Sequence, residues 1–231
     1  MNVALYLVST PIGNWDDITF RALRILKEVD IIVYEENKTG STLLSHYKIT
    51  DKVTETLNEH NEISVASKII RFLKEGKTAA LISDCGTPVF ADPGKYLVKM
   101  AIEQNIEVVP IPGASSIIPA LIYSGFPIDE FLYYGFLSQK SHKRKEELRK
   151  LKNDERTIVF LETPYRLVPL LKDIADILGA NRRLCIPFNI TMPNETIYRG
   201  TASELLISFS QQKLKGEFVT IVEGYREQRS K

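Results

Sequence analysis

The chain is poor in the residues that build covalent or metal frameworks. Only Cys85 and Cys185 occur in 231 residues, with no His/Cys cluster beside either. This excludes a disulfide scaffold and a zinc site and fits a reducing cytoplasm. No metal is expected. Charge of one sign is also lacking: the formal net charge is +1 with 26% charged residues, so no global field draws the protein to nucleic acid and any such affinity must come from a local patch. No apolar run approaches the roughly 18 residues of a membrane span, and Met1-Asn2-Val3-Ala4-Leu5 has no basic segment of the secretory kind. The expectation is a soluble, cytoplasmic protein without a membrane partner. Three phosphate- or nucleophile-bearing motifs are missing as well. There is no Walker A sequence, no intact G-x-G-x-x-G after the first strand and no G-x-S-x-G elbow, which removes support from kinase-like, dinucleotide-dependent and serine hydrolase readings.

What remains is 44% hydrophobic and long enough for one large or two modest domains. Val3 to Val8 and Asp30 to Tyr34 read as short buried strands. Between them Thr19 caps an amphipathic helix with Phe20, Leu23 and Leu26 on one face. The pattern recurs. Ile63, Ala66, Ile69, Ile70 and Leu73 form a helical stripe stopped by Gly76, the strand Ala79 to Ile82 follows, and a further helix leads to the strand Ile106 to Ile111. Such alternation predicts a parallel sheet with helices on its faces. Turn chemistry in Gly125-Phe126-Pro127-Ile128-Asp129 places a domain boundary there, giving residues 1–125 and 126–231. The second set holds strands at 131–134, 157–161, 184–186 and 217–222, a charged helix from about Ser141 and a helix from about Tyr165 to Leu178. Residues 227–231 read as a frayed tail.

Three Gly/Pro loops follow successive strands: Thr10-Pro11-Ile12-Gly13-Asn14, Ser83-Asp84-Cys85-Gly86-Thr87-Pro88 closing in Asp92-Pro93-Gly94, and Pro112-Gly113-Ala114-Ser115-Ser116. Strand carboxyl ends of a parallel sheet point one way, so the three loops should line a single ligand-binding rim. Ser115 and Ser116, at a helix start, suit an anionic ligand group.

These loops, with Asp16-Asp17-Ile18-Thr19, Arg21-Ala22-Leu23, Glu59-His60-Asn61-Glu62 and Pro110-x-Pro112-Gly113-x-Ser115, resemble the ribosomal RNA small subunit methyltransferase I family of the tetrapyrrole methylase superfamily. The resemblance runs in order from about Leu5 to Gly224. It implies two sequential α/β domains of the class III methyltransferase type, a homodimer, S-adenosylmethionine in a cleft between the domains, and 2′-O-methylation of a cytidine ribose in small-subunit ribosomal RNA or the small subunit itself. The implied cofactor residues are Pro11, Ser83, Asp84, Gly86, Thr87, Pro88, Gly113, Ser115 and Ser116, with Leu161, Glu162, Asn189 and Phe218 covering the adenine. In the second half the family's Arg-Glu-Leu-Thr-Lys-x-x-Glu stretch reads Phe188 to Glu195, with three charges gone, and in the first half its early Glu-Asp-Thr-Arg pattern reads Glu35-Glu36-Asn37-Lys38. Two alternatives follow: an enzyme of the same fold with a small-molecule or protein acceptor, and a non-catalytic RNA-binding relative.

A ribose hydroxyl is a weak acid, so a proton acceptor at the acceptor oxygen helps the transfer. By residue type the candidates are Glu35, Glu36, Asp84, Glu162 and Glu195. The RNA patch is expected at Lys140, Lys143, Arg144 and Lys145. From Lys140 to Arg156 there are eight Lys/Arg against four Asp/Glu, a local +4 in a chain of total +1. Trp15 is a further base-stacking candidate, weighed against plain packing.

Overall fold

A computed structural model describes residues 2–212 and 215–226. The expected tail at 227–231 lies outside them. The chain divides into two compact units, residues 1–115 and 116–231.

In the first unit β1 (Ala4–Val8), β2 (Ile31–Tyr34), β3 (Val53–Thr56), β4 (Ala79–Ile82) and β5 (Glu107–Ile111) form one sheet in the order β3-β2-β4-β1-β5, with every pair parallel. Alternate side chains go to opposite faces. Ala4, Tyr6, Val8, Ile32, Tyr34, Ala80 and Ile82 meet α1 (Phe20–Glu28) and α2 (Asn37–His46). Leu5, Ile31, Val33, Ala79 and Leu81 meet α3 (Glu62–Lys74) and α4 (Lys95–Glu103). Because both faces are covered, the inner strands read as continuous apolar runs rather than alternating ones.

Helix α1 begins as expected, the Thr19 hydroxyl accepting from the Ala22 amide at 3.0 Å. Its buried stripe differs: Ala22, Ile25 and Leu26 turn inward and Phe20 is 93% exposed. The spacing i, i+3, i+4 is satisfied by a face that includes a small residue, which a reading weighted toward large side chains passes over. Similarly, Ile63 is exposed while Ala66, Ile69, Ile70 and Leu73 are buried.

The second unit carries β6 (Phe131–Phe136), β7 (Thr157–Leu161), β8 (Arg183–Phe188), β9 (Thr196–Thr201) and β10 (Val219–Val222), ordered β6-β7-β10-β8-β9. The β6/β7 pair is parallel and the others are antiparallel, so β6, β7 and β8 run one way. One face packs Ile158, Phe160, Leu184, Ile186, Phe188 and Val222 against α6 (Ser141–Lys150), α7 (Leu167–Leu178) and α8 (Ala202–Ser210). The other face receives α5 (Ile117–Ser124), which packs on β8 and β10. That packing moves the boundary from the expected 125/126 to 115/116. The turn at Gly125 ends a helix of the second unit and does not separate domains. Among the described residues no helix is long and apolar enough to cross a membrane.

Candidate functional site

The rim at the carboxyl ends of β1, β4 and β5 is one interlocked structure. The Thr10 amide donates to the Gly86 carbonyl at 2.9 Å, the Thr10 hydroxyl donates to the Ser83 carbonyl at 3.0 Å, and the Ser9 amide donates to the Ile111 carbonyl at 3.3 Å. The Thr87 hydroxyl lies 3.1 Å from that of Ser9 and 3.3 Å from the Ala114 carbonyl. The three loops expected to share a rim are therefore bonded to one another.

Two glycines make this approach possible. A β-carbon on Gly113 would stand 2.8 Å from the Ser9 β-carbon, and one on Gly86, whose φ is +84°, would stand 3.2 Å from Ile12. Here a side chain is excluded by space at the first and by conformation at the second. Val89 sits at φ +72°, a left-handed conformation unusual for a β-branched residue. Strain of this kind persists only where the surroundings fix it.

The loop is also held from below. Ser83 is buried and its hydroxyl donates to Asp92 Oδ2 at 2.5 Å. Glu62 Oε1 accepts from the amides of Gly94 and Tyr96, at 2.7 and 3.0 Å, and so caps the start of α4 where Gly94 brings no side chain. Neither Asp92 nor Glu62 is among the expected site residues, although both stand inside the quoted motifs. The absent cap at Gly94 was the available signal.

Four carboxylates gather at the same rim. Glu35 and Glu36 follow β2, and Asp84 and Asp92 lie in the loop after β4; Asp84 Oδ1 accepts from the Glu36 amide at 3.3 Å. Burial, then the charges of Asp92, Asp84, Glu36 and Glu59, push the Glu35 carboxyl up to about 7. Burial also raises Asp84 and Asp92. The charges that act most on Glu35 are all negative, so the rim suits a ligand with a positive centre.

The second unit brings Leu161, Glu162, Asn189 and Phe218 to one end of its sheet, yet their side chains do not all serve as expected. The Phe218 ring is buried and stacks on Phe188 with centroids 4.8 Å apart. It belongs to the core, which corrects its assignment as an adenine cover. Glu162 is buried, pairs with Arg166 and accepts from the Thr163 amide at 2.7 Å. Its Oε1 braces the turn into α7, while its Oε2 is buried with no hydrogen-bond partner among the described residues. Glu195 is bonded on both oxygens, by the Tyr123 hydroxyl and the Thr191 amide, each at 2.6 Å. It holds the loop between β8 and β9 to α5 and is likewise a brace. Asn189, at φ +50°, takes its place in this loop, where a β-carbon on Gly216 would stand 2.2 Å from the Asn189 side-chain oxygen. Ser116 stands at the start of α5 and makes no side-chain capping bond to it.

The expected RNA patch also divides. Arg144 is 4% exposed; its Nε and Nη2 lie 2.8 and 2.6 Å from Asp173 Oδ2, and its Nη1 donates to the Ser138 and Gln139 carbonyls. Lys145 bridges Asp173 at 3.3 Å and Asp176 at 3.0 Å. Arg144 is thus a fastener between α6 and α7, which corrects its assignment as a phosphate contact, and Lys145 is neutralised by its neighbours. Lys140 and Lys143 are exposed. Trp15 stacks on His46, centroids 4.3 Å apart, so one of its faces is already covered.

The sequence profile of the Tetrapyrrole (Corrin/Porphyrin) Methylases matches residues 4–206. Solved structures of this fold superpose on nearly the whole chain. Cobalt precorrin-4 methyltransferase does so with a TM-score of 0.71 at 14% identity, covering 96% of this chain and 95% of its own. Uroporphyrin-III C-methyltransferase from Thermus thermophilus, complexed with S-adenosylhomocysteine, gives 0.66 at 17%, covering 95% and 97%. Fold and profile together define an S-adenosylmethionine-dependent methyltransferase of the tetrapyrrole methylase class. Closer relatives narrow this. Ribosomal RNA small subunit methyltransferase I from Halalkalibacterium halodurans is 43% identical over 220 residues, 95% of this chain and 75% of that protein. The enzyme of the same name from Escherichia coli O157:H7 is 41% identical over 226 residues, 97% and 79%. The chain belongs to the ribosomal RNA small subunit methyltransferase I family.

Proposed function

We propose that this methyltransferase transfers a methyl group from S-adenosylmethionine to the ribose 2′-hydroxyl of a cytidine in small-subunit ribosomal RNA, acting in the cytoplasm as a homodimer. The observation that carries the reading is the three-loop rim. Its backbone is fixed by cross-loop hydrogen bonds, two glycines keep it close-packed, and its charged side chains are carboxylates. Those features fit a zwitterionic, positively charged cofactor, which needs backbone partners and no cation at its sulfur. When bound, the cofactor supplies an electrophilic methyl group. The residues proposed to hold it are Pro11, Ser83, Asp84, Gly86, Thr87, Pro88, Gly113 and Ser115 in the first unit, with Ser116, Leu161 and the backbone at Asn189 and Phe218 in the second. For the dimer, the support is Ile118 and Ile122, exposed and one turn apart on α5.

Of the five candidate proton acceptors, Glu162 and Glu195 are engaged as braces and Asp84 accepts from the Glu36 amide. Glu36 is exposed. Glu35 is the group held near the range in which a carboxylate both accepts and releases a proton at neutral pH. It is proposed as the acceptor of the ribose proton.

The test is transfer of labelled methyl to small ribosomal subunits as a function of pH. With Glu35 acting in its ionised form, the rate should climb as pH rises through about 7 and then level. Glu35→Gln should lower kcat by about 10² to 10⁴ and abolish that climb. An unchanged profile in the variant would remove Glu35 from the mechanism. The same shift has a stability consequence. A carboxyl whose folded pKa is raised favours the fold fully below its unfolded value, and that contribution is lost as pH rises through the folded value. Glu35→Gln should therefore melt higher than wild type at pH 8, with the gap closing toward pH 4. Equal melting curves at both pH values would contradict the crowded, desolvated environment assigned to Glu35.

A further inference from the structure

The second unit has its own exposed rim. Strands β6 and β7 are parallel neighbours with Phe136 opposite Leu161, so the segments leaving them start one strand spacing, about 4.8 Å, apart. The first runs through Ser138 and Lys140 into α6. The second runs through Thr163 and Tyr165 into α7. At this end Phe136 is 50% exposed and Tyr165 82% exposed. Lys140, His142 and Lys143 are exposed on the α6 segment, and among the described residues neither lysine pairs with a carboxylate.

The surroundings are rigid. The ion pair of Arg144 with Asp173, the Arg144 bonds to the carbonyls of Ser138 and Gln139, and the bond from the Ser138 amide to Glu147 at 2.8 Å fix the α6 segment on α7. Arg166, paired with Glu162, fixes the Tyr165 turn, its Nε donating to the Thr163 hydroxyl at 3.2 Å. Arg144 and Arg166 hold this end of the sheet, while Lys140 and Lys143, exposed on the segment that follows Phe136, make no ion pair among the described residues. From Ser138 to Lys145 there is no carboxylate in the sequence.

The geometry points to this rim as a single-stranded RNA surface, with Tyr165 and Phe136 stacking on unpaired bases and Lys140 and Lys143 contacting the flanking phosphates. Aromatic faces interleaved with unpaired lysines are what a single strand requires, since every base has a stacking face and every linkage a charge. The inference rests on the proposed ribosomal RNA acceptor and deepens it by naming where the strand lies.

The test is steady-state methylation of small ribosomal subunits at several salt concentrations. Tyr165→Ala should raise KM for subunits by about fivefold to a hundredfold, with kcat little changed and the salt dependence of KM preserved. Tyr165→Phe should restore wild-type KM, because the ring and not the hydroxyl is used. Changing Lys140 and Lys143 together to Gln should flatten the salt dependence, the logarithmic slope falling by about 1.4 for two single-strand phosphates. Melting temperature and S-adenosylhomocysteine affinity should stay at wild-type values in all three. Wild-type KM and salt slope in Tyr165→Ala and in the double lysine variant, with methylation intact, would overturn the inference and leave the acceptor reading standing. Failure of the wild-type protein to label subunits at all would overturn both.

Discussion

Gly113→Val should abolish measurable S-adenosylhomocysteine binding in calorimetry while the protein remains folded. A β-carbon at this position would stand 2.8 Å from the Ser9 β-carbon and 3.4 Å from the Ser9 carbonyl, and valine adds two methyl groups beyond it. Residues 9 and 113 leave the adjacent strands β1 and β5, so the loops must separate to admit the side chain. Separation puts at risk the Ser9 amide bond to Ile111, the Ser9 contact with Thr87 and the Thr87 bond to Ala114, which together set the spacing of the rim. The strand cores behind the rim are untouched, so circular dichroism should keep its native shape. Gly86→Val should act in the same direction by a different route, since φ +84° costs a β-branched residue of order 1–3 kcal/mol. Wild-type affinity in both variants would mean that the cofactor does not use this rim.

Arg144→Ala should unfold the second unit at a markedly lower temperature. The guanidinium is 4% exposed and spends its donors on Asp173 and two carbonyls, so its removal takes from the buried Asp173 carboxylate its nearest cation, leaving Lys145 at 3.3 Å and the Ser141 hydroxyl at 3.2 Å. Breaking one side of such a pair costs about 3–5 kcal/mol, which in a chain of this size lowers Tm by about 10 °C. Asp173→Ala should do much the same. Arg144→Met combined with Asp173→Leu should recover part of the loss, because apolar residues of similar volume remove the buried ion pair whole, while the Ser138 and Gln139 carbonyls and Lys145 each lose one partner. If Arg144 were instead a phosphate ligand, Arg144→Ala would leave Tm alone and weaken RNA binding only. Thermal melts of the two single variants and the double variant separate these readings without any RNA present.

The strand-end loops were legible because Gly, Pro, Ser and Asp behind an apolar run have few other uses. Their mutual bonding follows from parallel strand geometry. Several elements were not legible. Val53-Thr54-Glu55-Thr56 is an edge strand with no apolar run, and it pairs with β2 along one side only. Asn37 to His46 carries Thr39-Gly40-Ser41 and looks like a loop; it is helical because Gly40 lets the backbone close on the Tyr34 ring, where a β-carbon would stand 2.4 Å from the ring. That contact is tertiary and invisible to local propensity. The last helix had a readable signal, the capping box of Thr201 with Glu204, although it followed the edge strand β9 without a turn between them. Charge was the least legible property. Arg144 and Lys143 are neighbours in sequence, and one is sealed against Asp173 while the other faces solvent. Only the helix packed beside them decides which cation is structural. The same holds for the carboxylates: Glu162 and Glu195 look like Glu35 in the sequence, and only tertiary partners, Arg166 for the first and Tyr123 with Thr191 for the second, set them apart.

The most direct test of the account is to incubate the protein and labelled S-adenosylmethionine with small ribosomal subunits from a strain lacking the gene, digest the RNA and identify the labelled nucleoside. Label recovered as a single 2′-O-methylcytidine, lost in Gly113→Val and in Glu35→Gln, is the result expected. Label on a base, or none on RNA while S-adenosylhomocysteine still binds, would contradict the ribose acceptor and assign this rim to another substrate.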